Sequence, residues 1–174
     1  MKKILIVVDM QKDFVDGSLG SSEAVGIVGN VCNKIRNHKG DIIVTYDTHN
    51  ENYMETQEGK KLPVPHCIKG TEGWELCREV KEALSGKEYK TIEKPTFGSV
   101  ELPSYIKENY NPKDIEIELV GLCTDICVVS NALLLKANFL ETEISVDSRC
   151  CAGVTKESHN SALCTMKMCQ VNII

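Results

Sequence analysis

The run Ile4-Leu5-Ile6-Val7-Val8 contains no polar residue and stops at Asp9. A strand with one wet face alternates apolar and polar side chains. A strand without that alternation is covered on both faces, as in a parallel sheet held between helix layers. The rest of the chain repeats the theme, with strand-like segments at 41–46, 89–93, 115–120, 142–146 and 171–174. Helix-period segments lie between them. Residues 22–38 place Val25, Val28, Val31, Cys32 and Ile35 at helical spacing, and 73–85 carry Leu76, Cys77, Val80 and Leu84. Segments 125–138 and 156–169 are similar. This alternation predicts the α/β class: a three-layer α/β/α sandwich around a mostly parallel, doubly wound, Rossmann-like sheet of about six strands. No linker, internal repeat or low-complexity tract interrupts it. The expectation is a single domain over residues 1–174.

Composition removes several function classes. The net charge is −5, and no Lys/Arg stripe with interleaved aromatics appears, which argues against nucleic acid as a partner. No apolar stretch reaches membrane-spanning length. The basic start, Met1-Lys2-Lys3, is followed by only five apolar residues and then Asp9, so it reads as a first strand of a cytoplasmic protein rather than a signal peptide. Nine cysteines, an odd number, do not form a disulfide framework in that setting. Most are read as small buried apolar residues. No pair of CxxC motifs points to a zinc ribbon.

In doubly wound folds the site lies beyond the carboxyl ends of the strands. Those ends offer Asp9, Asp47 with His49, Lys94, and the turn Gly121–Cys127. At that turn, "VGLCTDICV", Thr124 suits a helix N-cap and Asp125 the first helical turn. Cys127 then sits where unpaired N–H groups favour a thiolate or hold an oxyanion. Taken singly, Asp9 reads as a turn cap, Lys94 as a surface lysine and Cys127 as a buried thiol. Together they supply a base, a cation and a nucleophile. One connection breaks the alternation: residues 47–71 form a long loop with Gly59, Pro63, Pro65 and Gly70. Loops of that length in compact domains are usually functional or disordered. In "YDTHN", Asp47 and His49 point the same way on an extended segment, and "PVPHC" adds His66. Asp plus two His is the donor set of a catalytic metal site with open positions.

The segments "VVDMQKDF", "EKPTFGS" and "VGLCTDICV" resemble the three signatures of the isochorismatase-like cysteine hydrolase superfamily, in order and over nearly the whole chain. The resemblance implies a catalytic triad of Asp9, Lys94 and Cys127. It also implies a non-proline cis peptide at Leu122–Cys123 and an oxyanion hole built from the Cys123 and Cys127 amides. The D-x-H pair followed by a distant His-Cys is similar to the nicotinamidase branch, which implies a divalent metal on Asp47, His49 and His66: zinc first, with iron or manganese as alternatives. It implies a small-molecule amide substrate, most readily nicotinamide, Phe14 and Phe97 in the pocket, and a homo-oligomer. Pro63 stands where that branch commonly carries a ring-stacking tryptophan, and the only tryptophan, Trp74, lies eight residues past His66. Other small amides, carbamoylsarcosine- or ureidoacrylate-like, therefore stay open as substrates.

Three other classes compete. A dinucleotide-binding oxidoreductase needs a glycine-rich turn after the first strand, and Asp9-Met10-Gln11-Lys12-Asp13 has no glycine. A thiol redox protein is countered by the absence of CxxC. A non-catalytic binding module is countered by the complete triad. His38 and His159 are read as plain surface residues.

Overall fold

The structure, a computed structural model, describes residues 1–174. The elements in chain order are β1 (Lys2–Val8), α1 (Lys12–Val15), α2 (Ser22–Asn37), β2 (Asp41–Asp47), α3 (Gln57–Lys61), α4 (Arg78–Leu84), β3 (Lys90–Lys94), α5 (Glu101–Asn109), β4 (Ile115–Leu122), α6 (Val129–Asn138), β5 (Glu143–Ala152), α7 (Lys156–Met168) and β6 (Asn172–Ile173). All six strands are parallel, in the order β3-β2-β1-β4-β5-β6. The three-layer sandwich read from the sequence is the fold observed.

The opening apolar run explains itself in three dimensions. Leu5 and Val7 pack in one apolar cluster with Val28, Val31 and Ile35 of α2 and Val80 and Leu84 of α4. Ile4, Ile6 and Val8 point the other way, toward Ile106 of α5, Leu135 of α6 and Met166 of α7. Each residue of the run is fully buried, worth roughly 1.5–3 kcal/mol per side chain relative to exposure. A polar residue anywhere in it would be buried without a partner.

Several boundaries differ from the sequence reading. The last full strand, β5, runs on past Val146 to Ala152, with a register shift against β4 between Leu119 and Gly121. The helical reading of 73–85 contracts to α4, preceded by a short 3₁₀ turn at Glu72–Trp74. The long loop is not featureless: Thr56 caps α3 by accepting from the Gly59 amide. Helix α5 had no counterpart in the apolar pattern, because Pro103 interrupts it. In the first turn a proline is harmless, since no intrahelical N–H bond is due there.

Sequence-adjacent order reverses between β1 and β4, so their carboxyl ends open a crevice. At this switch point Gly121 has φ +120, and a Cβ there would collide with the Val8 carbonyl. Only glycine lets β4 lie this close to β1 just before the strand turns away. The Leu122–Cys123 peptide is cis, as expected.

Candidate active site

The crevice collects side chains from four strand ends. Asp9 follows β1 with φ +46, a left-handed conformation that aspartate tolerates better than most residues. It is fully buried. Thr45 Oγ1 donates to its Oδ1 at 2.6 Å, and Lys94 Nζ, from the end of β3, lies 2.6 Å from its Oδ2. Apart from that ion pair, no hydroxyl or amide donates to the second oxygen, which leaves a lone pair for an incoming proton. Lys94 is 1% exposed. Its ammonium also donates to the Thr96 carbonyl at 3.0 Å and to Cys127 Sγ at 3.5 Å. The three chain-distant groups therefore meet around one point.

Burial works against the Lys94 ammonium, but the Asp9 carboxylate, with the Asp47 charge behind it, outweighs that and holds its proton above the usual lysine range. Burial lifts Asp9 above the ordinary carboxylate value of 3.8, with Lys94 opposing. Burial, with the Asp9 charge and a hydrogen bond to that carboxylate, pushes the Cys127 thiol well above its ordinary value, and Lys94 opposes. The resting sulfur is thus protonated, next to a carboxylate that burial has made a better base.

The turn carrying Cys127 differs in detail from the sequence reading. Thr124–Val128 forms a π-helical turn leading into α6, and Cys123, not Thr124, holds the cap position. Thr124 is fully buried and its hydroxyl faces His159 instead of a backbone amide. His159 is accordingly half-buried, not a plain surface residue: burial drives it from solvent and lowers its pKa. His38 is partly exposed, with Nε2 3.3 Å from the Lys3 carbonyl.

Beside the triad, Asp47 Oδ2 lies 3.0 Å from His49 Nε2 and 3.5 Å from His66 Nε2. One donor atom from each of the three falls within 4.8 Å of the others, and all three residues are buried. Burial would raise Asp47, but His49, His66 and Lys94 hold it well below the usual carboxylate range, so it stays charged. The Val64 carbonyl, 2.8 Å from His66 Nδ1, orients that ring, and Tyr53 packs edge-on to both histidines. A carboxylate and two oriented imidazoles suit a first-row divalent ion or zinc and leave positions open. Asp47 Oδ1 is also 3.6 Å from Lys94 Nζ, which links this cluster to the triad.

Three positions escaped the sequence reading. Glu58 Oε1 sits 3.8 Å from His49 Nε2 and 3.7 Å from His66 Nε2. Gln11 is fully buried, accepts from the Asp47 amide at 2.7 Å and donates to the Asp47 carbonyl at 2.8 Å. Asp13 accepts from the Cys67 amide at 2.8 Å, beside His66. The alternation Asp9, Gln11, Asp13 was a usable signal: polar residues straight after a buried strand must find partners, and here each braces one part of the site. Glu58 had no such signal, lying among charged residues of an exposed helix.

A small cavity opens onto the sulfur, walled by Phe14, Leu19, Leu62, Phe97, Cys123 and Ile126, with Asp47, Glu58 and His66 at its polar side. Phe14 and Phe97 both line this cavity. Trp74 is not in this cavity; it packs on Tyr46 and donates to Thr48 Oγ1 at 2.9 Å. Leu62, next to Pro63, supplies the wall instead. All nine cysteines are free thiols, most of them buried.

The isochorismatase domain model matches residues 3–174. A Bacillus subtilis protein named "Uncharacterized isochorismatase family protein PncA" is 30% identical over 176 residues, covering 94% of this chain and 93% of that one. The crystal structure of the nicotinamidase/pyrazinamidase PncA from Bacillus subtilis superposes with a TM-score of 0.82 at 27% identity, covering 99% of both chains. The pyrazinamidase of Pyrococcus horikoshii, solved in complex with zinc, gives 0.84 at 26% identity over 100% of this chain and 99% of that one.

Proposed function

The chain belongs to the isochorismatase family, and from that premise we propose that it hydrolyses nicotinamide to nicotinate and ammonia through a thioester on Cys127. It is a nicotinamidase-like hydrolase of amide carbon–nitrogen bonds. The observation that carries the narrower reading is the buried Lys94 ammonium, 2.6 Å from the Asp9 carboxylate and 3.5 Å from the Cys127 sulfur, which itself lines the cavity.

The cavity's chemistry supports a neutral ring amide. Its walls are mostly apolar, it has no lysine or arginine among its lining residues, and Asp47 and Glu58 bring negative charge. A substrate with its own carboxylate, as in N-carbamoylsarcosine, would be desolvated against those walls with no arginine or lysine side chain lining them to pair with it, and with Asp47 and Glu58 nearby to repel it. A flat uncharged ring between Phe14, Phe97 and Leu62 meets no such cost.

The Cys127 thiol passes its proton to Asp9 Oδ2, and the sulfur attacks the carboxamide carbon. Lys94 steadies the negative charge as it moves from carboxylate to sulfur. The tetrahedral oxygen is received by the Cys123 and Cys127 amides. Asp9 returns the proton to the amide nitrogen, the carbon–nitrogen bond breaks and ammonia leaves. Water, deprotonated by Asp9, then attacks the thioester carbon; the carbon–sulfur bond breaks and the thiol is regenerated with the acid product. Asp47, His49 and His66 would hold a divalent metal, zinc first and iron or manganese as alternatives, which supplies a Lewis acid for a ring nitrogen or water.

An ammonia-release assay with nicotinamide, pyrazinamide, N-carbamoylsarcosine and ureidoacrylate tests the reading. Nicotinamide is expected to have the highest kcat/KM; preference for a carboxylate-bearing substrate would overturn it. Dialysis against a chelator is expected to raise the nicotinamide KM about tenfold or more, with recovery on adding zinc. Elemental analysis should find about one metal ion per chain in the wild type and far less in His66→Ala. Turnover untouched by chelation would remove the metal from the scheme.

A further inference from the structure

His159 stands near the start of α7, and its Nδ1 lies 2.8 Å from Thr124 Oγ1. Thr124 is fully buried and opens the turn on which Cys127 stands. The approach is built into the backbone. A Cβ on Gly153 would lie 2.9 Å from His159 Cβ and 3.0 Å from its Cα, so only glycine lets α7 come this close to the end of β5. The next residue, Asp125, is tied to the same corner, its carboxylate accepting from the Val154 amide at 3.1 and 3.2 Å. The turn is therefore gripped from α7 on one side and from Lys94 on the other. His159 does not line the substrate cavity; it faces a separate cavity with Glu23, Ile27, Cys151 and Lys156.

We propose that His159 is a positioning residue, which through its hydrogen bond to Thr124 holds the Cys127 turn so that the sulfur stays against Asp9 and Lys94. The proposal rests on the reading of Cys127 as nucleophile. The Thr124 carbonyl accepts from the Val129 amide at the start of α6, so a shift of Thr124 carries the whole turn with it. A displacement of about 1 Å at a reacting atom costs on the order of 100-fold in rate. Because His159 cannot reach the substrate, its loss acts on kcat and not on KM.

The test uses His159→Leu, which removes the bond and keeps bulk; His159→Asn, whose amide places a polar atom where Nδ1 stands; Thr124→Val; and the double variant His159→Leu/Thr124→Val. Three quantities are read for each: kcat and KM for ammonia release, the melting temperature, and the rate at which iodoacetamide alkylates Cys127, followed by mass spectrometry of its peptide. His159→Leu and Thr124→Val should each lower kcat about tenfold or more with KM within about twofold, and should slow alkylation. The double variant should be no worse than either single one, because both break the same bond. His159→Asn should recover most of the loss. Wild-type kcat and alkylation in His159→Leu would overturn the proposal, as would an Asn variant no better than Leu. A wild type that releases no ammonia overturns the functional reading instead, and the alkylation rates still decide on His159. If His159→Leu does not fold, Thr124→Val against Thr124→Ser reads the same bond.

Discussion

Cys127→Ala is expected to release no measurable ammonia from nicotinamide, a fall of at least about 10⁴-fold, because the thioester has no other sulfur on which to form. The cavity does contain a second thiol, and that makes the prediction sharp. Cys123 lines the same space and burial raises its thiol as it does that of Cys127, but the ion pair that meets Cys127 makes no hydrogen bond to it, so nothing is placed to take its proton. Cys123→Ala is therefore expected to keep most of the activity, since the amide and not the thiol of that residue is asked to serve. Stability should barely register the loss of Cys127. Removing one buried sulfur costs about 1 kcal/mol, a few degrees in Tm for a chain of this size. Ammonia release by the Cys127→Ala protein within tenfold of wild type would sink the mechanism.

Lys94→Met is the second large effect, and it strikes stability as well as rate. The ammonium is the buried cation facing two buried carboxylates, Asp9 at 2.6 Å and Asp47 at 3.6 Å. Breaking a buried pair from one side leaves an uncompensated charge and costs about 3–5 kcal/mol. Asp9 would respond by taking up a proton, and a protonated carboxyl cannot accept one from sulfur. Activity should therefore fall about 10³-fold or more. Asp9→Asn/Lys94→Met, which removes both charges, is expected to regain most of the urea midpoint while remaining inactive. A Lys94→Met protein as stable as wild type would mean that the pair is solvated in a way the geometry does not allow. The wild type carries a related signature in its pH profile. Asp9 works only when ionised, and burial places its value above 3.8, so kcat/KM should decline on the acid side at a pH above the ordinary carboxylate range.

Much of this was legible in one dimension. An unbroken apolar run must be covered on both faces, so 4–8 announces a sandwiched parallel strand. Asp9 at its end could not be buried without partners, which marked the strand end as a site. The D-x-H pair lay on an extended segment and had to project to one side. What stayed illegible followed no local period. Helix α5 was hidden by Pro103, whose tolerance depends on standing in the first turn. Glu58 looked like any charge on an exposed helix until the loop folded it beside His49 and His66. His159 looked like a surface residue because nothing in its neighbourhood names Thr124, thirty-five positions away, as its partner.

From the chain alone came the layers, the strands and the types of side chain waiting at their ends, because periodicity records which positions avoid water. Only the tertiary structure decided which ends are neighbours. The reversal of strand order between β1 and β4, together with a glycine that lets the two strands close up, sets an acid, an ammonium and a thiol around one point. Burial patterns say that a strand is covered; they are silent on which strand lies beside it.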